Sequence, residues 1–233
     1  MREGGFRVSL TREDLERRRR AIADSKIVAY LDEEARQAVQ MLTTIREVLA
    51  SLDGLQPSQL KEVMDMSRKI KEEAEKTHRD LLGYISRVSP ILYHREDWLR
   101  ATYKVRNVID KLSGILYRLE YLASRGWLVT PPVRSSMVEL CDSVVEVVET
   151  FRQLLNLIVT NPSQALSQCS KLSLSEASAD SKFRSSSFAI LSSNLSPNTI
   201  ILLLNIAEML EDVSDTLYSA SEDIYIVLMN MVS

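Results

Sequence analysis

The sequence predicts an all-α protein of six long antiparallel helices. Three observations predict it. Apolar residues recur at alternating steps of three and four along most of the chain, the period of a helix with one buried face. The few glycines and prolines, six of each in 233 residues, cut the chain into six pieces of twenty to forty residues. No segment alternates apolar and polar residues in the manner of a strand. Long helices joined by short breaks pack as antiparallel bundles.

The first helix is expected from about Thr11 to Leu52, with Val28, Leu31, Ala35, Ala38, Leu42, Ile45, Leu49 and Leu52 as its apolar seam. Asp53-Gly54 and Pro57 stop it. The second runs from about Ser58 to Val88 and ends before Pro90. The third covers about Arg95 to Ser124, on a seam of Val105, Val108, Leu112, Ile115, Leu119 and Leu122. Gly126 and Pro131-Pro132 separate it from the fourth, about 133–160, which buries Met137, Leu140, Val144, Val147, Phe151, Leu154 and Ile158. Asn161-Pro162 then opens a fifth piece, about 162–193, with Pro suited to the first helical turn. That piece is loaded with serine, a mediocre helix former, so a disordered linker competes with a helix. Leu166, Cys169, Leu172, Ala179, Phe183 and Leu191 keep an amphipathic pattern, and a helix is the preferred reading. Ser196-Pro197 opens the sixth, about 198–231, whose seam is Leu203, Ile206, Leu210, Val213, Leu217, Ala220, Ile224 and Val227.

Residues 108–117 (VIDKLSGILY) lie over 209–218 (MLEDVSDTLY), with Leu112 matching Val213, Ser113 matching Ser214 and Leu116-Tyr117 matching Leu217-Tyr218. Two three-helix bundles in tandem would produce such a repeat; two unrelated amphipathic helices could match as well.

Composition narrows the function classes. A net charge of −3 excludes a generic nucleic-acid binder. No apolar run is long enough to span a bilayer, and the charged start carries no leader-like apolar core, so a soluble cytoplasmic protein without membrane insertion is expected. Cys141 and Cys169 lack metal-ligand spacing and fit reduced thiols. No P-loop, nucleophile elbow or dinucleotide turn is present, and with two histidines the many serines have no nearby base. The chain is therefore expected not to be an enzyme.

The sixth helix carries Glu208, Glu211, Asp212, Asp215, Glu222 and Asp223 with no basic residue among them. Positions 208, 212, 215 and 222 fall on one stripe, about half a turn from the apolar seam. Like charges at helical spacing cost roughly 0.2–0.5 kcal/mol per pair. A solvated face is the plain explanation. The alternative is a hard divalent cation, which prefers oxygen ligands. Glu176 and Asp180 on the fifth helix, spaced i, i+4, raise that alternative. With helices five and six as antiparallel neighbours, Glu176, Asp180, Glu208, Asp212 and Asp215 could share Mg²⁺, Ca²⁺, Mn²⁺ or iron. No thiolate or imidazole accompanies them, which excludes a tetrahedral zinc site.

These residues also carry a resemblance. EMLEDVSDTLYSASEDI (208–224) resembles the helix signature of PhoU-like proteins, SEASAD (175–180) is similar to its partner-helix signature, and HREDW (94–98) with Asp110 looks like the middle of that family's first bundle. The nearest branch is that of the phosphate-transport regulators linked to Pit-type transporters. The resemblance implies two tandem three-helix bundles: a basic extension of helix one at 1–27, a first bundle at 28–126 and a second at 127–233. It implies a non-enzymatic regulator that dimerises and docks on the cytoplasmic face of an inorganic phosphate transporter. It also implies metal ions in surface carboxylate clusters, carried here by the same five acids. The first half departs from that pattern. Lys71 and Glu75 stand on helix two, Arg106 and Asn107 stand where acids are expected, and only Asp110 remains clear. A lysine within a cation site repels the cation, so the first bundle is expected not to bind metal.

Other signals weigh less. Glu75 and His78 match the Glu-x-x-His of ferritin-like di-metal proteins, but no second such motif exists, and a surface His78 is expected. Arg12 and Arg17–Arg20 form a basic patch that could touch phosphate, an anionic membrane or nucleic acid, or simply be solvated. Trp98 and Trp127 are expected to pack under loops, and Ile201 and Ile226 to face outward toward a partner. A metal-storage or di-metal oxidase bundle and a metal-free structural adaptor remain the alternatives.

Overall fold

Four helices begin at a capping hydrogen bond. Thr11 accepts from the Asp14 amide and donates its own amide to the Asp14 carboxylate, opening α1 (Arg12–Ser51). The Gln56 amide donates to Gln59 Oε1 ahead of α2 (Pro57–Val88). Then come α3 (Arg95–Ser124) and α4 (Pro131–Thr160). Asn161 Oδ1 accepts from the Gln164 amide at the head of α5 (Pro162–Leu191). Ser196 Oγ accepts from the Thr199 amide at the head of α6 (Pro197–Val232). Proline fills the first turn of α2, α4, α5 and α6, where its missing N–H costs nothing. The structure is a computed structural model that describes residues 11–54 and 56–232. Two short 3-10 turns, Leu52–Gly54 and Ser89–Ile91, complete the connections, and no strand occurs among the described residues.

The seams read from the sequence are the core. All the named seam residues of α1, α3, α4 and α6 are buried. Each Val, Leu, Ile, Met or Phe among them contributes about 1.5–3 kcal/mol when removed from water. α5 is helical throughout, despite its serines, because Ala165, Leu172, Ala179 and Ile190 bury one face against α4 and α6. Leu191 is the exception to the predicted seam. It follows the buried Ile190 but lies about a quarter-turn off the packed face, and stays 58% exposed.

α1, α2 and α3 pack on one another, as do α4, α5 and α6, and α1 also packs on α4 and α3 on α6. One continuous apolar core results, drawn from all six helices. The α3–α6 contact is close enough that a Cβ on Gly114 would meet Met209 Cε at 2.8 Å. A row of basic side chains on α3 reaches across to α6. Arg100 Nε lies 2.9 Å from Asp223 Oδ1 and Lys104 Nζ 2.7 Å from Asp223 Oδ2. Lys111 Nζ donates to the Asp212 carbonyl and to Thr216, and Arg118 Nε to Asn205. On the other side, Arg46 of α1 pairs with Asp142 of α4 at 2.5 Å, and Arg152 of α4 with Asp32 of α1 at 2.9 Å. Helical register across the two halves is thus set by charge as well as by packing.

Candidate functional site: an acidic face on the last two helices

Because α5 and α6 are antiparallel neighbours, the Glu176–Asp180 turn of α5 faces the Glu211–Asp215 turn of α6. Desolvation pushes the Glu211 carboxyl up from 4.5 to about 7, helped by the negative charges of Asp215, Asp212, Asp180 and Glu176. Glu176 is raised by burial and then by Asp215 and Asp180, with Arg184 opposing. Asp215 is raised by burial and then by Asp180 and Asp212, with Lys111 opposing. Carboxylates that hold one another's protons in this way stand within a shared field.

Two cations lean into that field from its edges. Arg184 Nη1 lies 2.5 Å from Asp180 Oδ2, one turn along α5. Lys111 Nζ lies 3.6 Å from Asp212 Oδ2, from α3. Five carboxylates against two cations leave the face negative.

The structure therefore brings together Glu176, Asp180, Asp212 and Asp215. Glu208 stands exposed at the α6 position one turn before Asp212 and is not among the charges that move Glu211. Glu211, off the stripe of 208, 212 and 215, is the most strongly perturbed carboxyl of the group. The sequence held one sign of it: Glu211 and Asp215 are spaced i, i+4, as Glu208 and Asp212 are. Only the side on which α5 lies decides between the two rows. Asp223 departs from the outward face altogether, being 6% exposed and held between Arg100 and Lys104.

The donor set consists of hard oxygens, which suits a divalent cation of the Mg²⁺, Ca²⁺ or Mn²⁺ class. No three of the described His, Cys, Asp and Glu side chains converge closely enough to form a coordinating cage. The face gathers negative charge without a preformed metal centre.

The corresponding turns of the first half are neutralised internally. Asp110 on α3 is paired with Lys71 of α2 at 3.2 Å and with Arg106 at 3.4 Å, and Glu75 with Arg106 at 3.5 Å. Glu75 and His78 do not act together. His78 Nδ1 lies 3.2 Å from Oε1 of Glu34 on α1, a carboxyl with no exposed surface that burial raises against the pull of His78 and Arg106. The surface position expected for His78 is corrected by this contact: its side chain is only 12% exposed, inside the first half. Trp98 is fully buried and donates from Nε1 to Asp24 at 2.9 Å, while Trp127 packs edge-on to Tyr121 at the α3–α4 turn. Burial lifts the thiols of Cys141 to about 12 and Cys169 to about 11, which keeps both protonated at neutral pH.

Comparison with protein-family models finds no match, and comparison with curated protein sequences finds none either. Comparison of backbones does. A PhoU-like phosphate regulatory protein of Shewanella oneidensis MR-1 superposes with a TM-score of 0.72 at 12% identity, over 88% of this chain and 99% of that one. The fold is that of the PhoU-like proteins. A second PhoU-like protein of the same organism gives 0.69 at 14% identity, over 87% of this chain and 99% of the other. PhoU of Pseudomonas aeruginosa gives 0.68 at 11% identity, over 88% and 96%. At these identities the likeness establishes architecture alone. No helix among the described residues is long and apolar enough to cross a membrane.

Proposed function

We propose that this chain is a non-enzymatic regulator of inorganic phosphate transport, acting in the cytoplasm as a homodimer that docks on a phosphate transporter of the Pit type. The observation that carries the reading is the PhoU-like architecture, matched over nearly the whole length of solved PhoU-like proteins. The acidic α5–α6 face is the recognition surface in this reading. Its mutual repulsion is relieved when a basic segment or a cation approaches. Ile201 and Ile226, 67% and 45% exposed on α6, are proposed to face the second copy. The test is uptake of labelled phosphate by native cells with and without the gene. Altered uptake on switching between scarce and abundant phosphate supports regulation; identical uptake in both conditions contradicts it.

The proposal extends to divalent cations, Mg²⁺, Ca²⁺, Mn²⁺ or iron, drawn to Glu176, Asp180, Asp212 and Asp215 with Glu211 among them and Glu208 at the margin. Lys111 and Arg184, already seated on Asp212 and Asp180, favour a second reading, a metal-free adaptor whose face waits for a basic partner. Melting at pH 8 separates the two. A rise with millimolar Mn²⁺ that Glu211→Gln with Asp215→Asn abolishes supports the cation; identical melting with Mn²⁺ and with chelator supports the adaptor. The ferritin-like alternative loses its motif, since Glu75 and His78 turn to Arg106 and Glu34.

A further inference from the structure

The antiparallel layout gathers four features at one end of the molecule: the start of α1, the α2–α3 turn, the α4–α5 turn and the last turn of α6. A groove there is lined by Arg17, Arg20, Asp24, Val159, Pro162 and Met231. Core burial of α1 begins only at Ala23, so Arg12–Ile22 overhangs the bundle with all but Arg20 exposed. These eleven residues extend about 16 Å at helical rise.

The overhang is basic and apolar together. Its acids are mostly occupied: Asp14 caps Thr11, and Glu16 is paired with Arg12 at 3.3 Å. Asp24, at its base, accepts from Trp98. Arg17, Arg18 and Arg19 have no ion pair among the described residues, and Arg20 rests 4.1 Å above the ring of Tyr93. On the solvent side of α1, helical spacing aligns Leu15, Arg18, Arg19, Ile22 and Lys26 on one stripe. Leu15 is 45% and Ile22 63% exposed; Tyr93, against Arg20, is 74% exposed and Val159 across the groove 49%. The acidic α5–α6 face lies along the middle of its helices, away from this end.

We propose that this end of the molecule docks on an anionic bilayer surface, with Arg17–Arg20 meeting lipid phosphates and Leu15, Ile22 and Tyr93 entering the interface. Exposed arginines supply attraction to a negative leaflet, and apolar side chains beside them gain by leaving water at headgroup depth. A nucleic-acid backbone would match the arginines but leave Leu15 and Ile22 in water. Docking places the helices end-on and holds the acidic face clear of the lipid charge. This inference stands on the overhang alone and does not require the phosphate-regulator reading.

Co-sedimentation of the full chain with vesicles tests it. Vesicles of phosphatidylcholine alone are compared with vesicles carrying about one-quarter phosphatidylglycerol, at low and high salt. The wild type is expected to partition onto the anionic vesicles only, with loss of binding as salt rises. Each arginine at such a surface is worth about a fivefold change in partition, so the four-fold variant R17Q/R18Q/R19Q/R20Q is expected to lose about a hundredfold or more. Leu15→Ser with Ile22→Ser is expected to lose about tenfold. If the four-fold variant melts early, Arg18→Gln with Arg19→Gln, both exposed, takes its place. No binding to anionic vesicles, equal binding to neutral ones, wild-type binding by the arginine variants, or displacement of vesicles by duplex DNA at matched phosphate would overturn the proposal.

Discussion

Glu211 is where packing and charge meet most sharply. A carboxyl that holds its proton more tightly in the fold than in the unfolded chain stabilises the fold while protonated. That contribution is complete below the ordinary 4.5 and is lost as pH rises through about 7. Glu176 and Asp215, both raised, add with the same sign. Glu211→Gln should therefore leave the protein unchanged near pH 4 and stabilise it at pH 8 by about 1 kcal/mol after solvent screening. Urea midpoints across that range measure it, and an equal effect at both ends would contradict the assignment. Asp223 is the converse. Replacing it with Ala leaves Arg100 and Lys104 facing an apolar gap, for an expected loss of about 2–3 kcal/mol in the same assay. Both residues show what the sequence held back. The acidic run was legible, but whether Glu208 or Glu211 meets α5, and whether Asp223 faces solvent or α3, depends on helix rotation. A charge pattern cannot fix rotation when the neighbouring helix carries its own charges. His78 departs from its expected surface position for the same reason: its partner, Glu34, lies 44 positions away on another helix.

The elements themselves were nearly all legible. The apolar period marks every helix, and a first-turn proline or a capping side chain marks all but α3, so boundaries fall within about two residues of expectation. α5 is the instructive case. Its serines lower intrinsic propensity, yet Asn161 caps it, and Ser167 and Ser185 bond back to carbonyls within the same helix. Tertiary burial of Leu172 and Ala179 decides the matter. Leu191 shows the limit, since it lies about a quarter-turn off the face that its neighbour Ile190 buries and so meets water. The α3 terminus gives an element-scale prediction. Gly126 sits at φ 63°, the left-handed region, where the chain turns toward Trp127. Gly126→Ala should cost about 1 kcal/mol, read from thermal melting, although open space would receive the methyl group.

At the scale of the whole molecule, six helices form one core because α1 packs on α4 and α3 on α6. The internal similarity between the third and sixth helices pointed to a repeat but not to the pairing across halves, which is fixed by α3 cations and α6 acceptors far apart in sequence. Calorimetry should accordingly show one cooperative unfolding transition; two resolved transitions would mean that the halves fold separately. The same arrangement leaves the α5–α6 face open on the outside, negative and free of a preformed cage, suited to meeting a partner. Affinity capture from detergent-treated native membranes tests that role most directly. The wild-type chain is expected to retain an inorganic phosphate transporter, and Glu176→Gln with Glu211→Gln and Asp215→Asn to release it. Consistent absence of any phosphate transporter from the wild-type capture, or its equal retention by the neutralised variant, would contradict it.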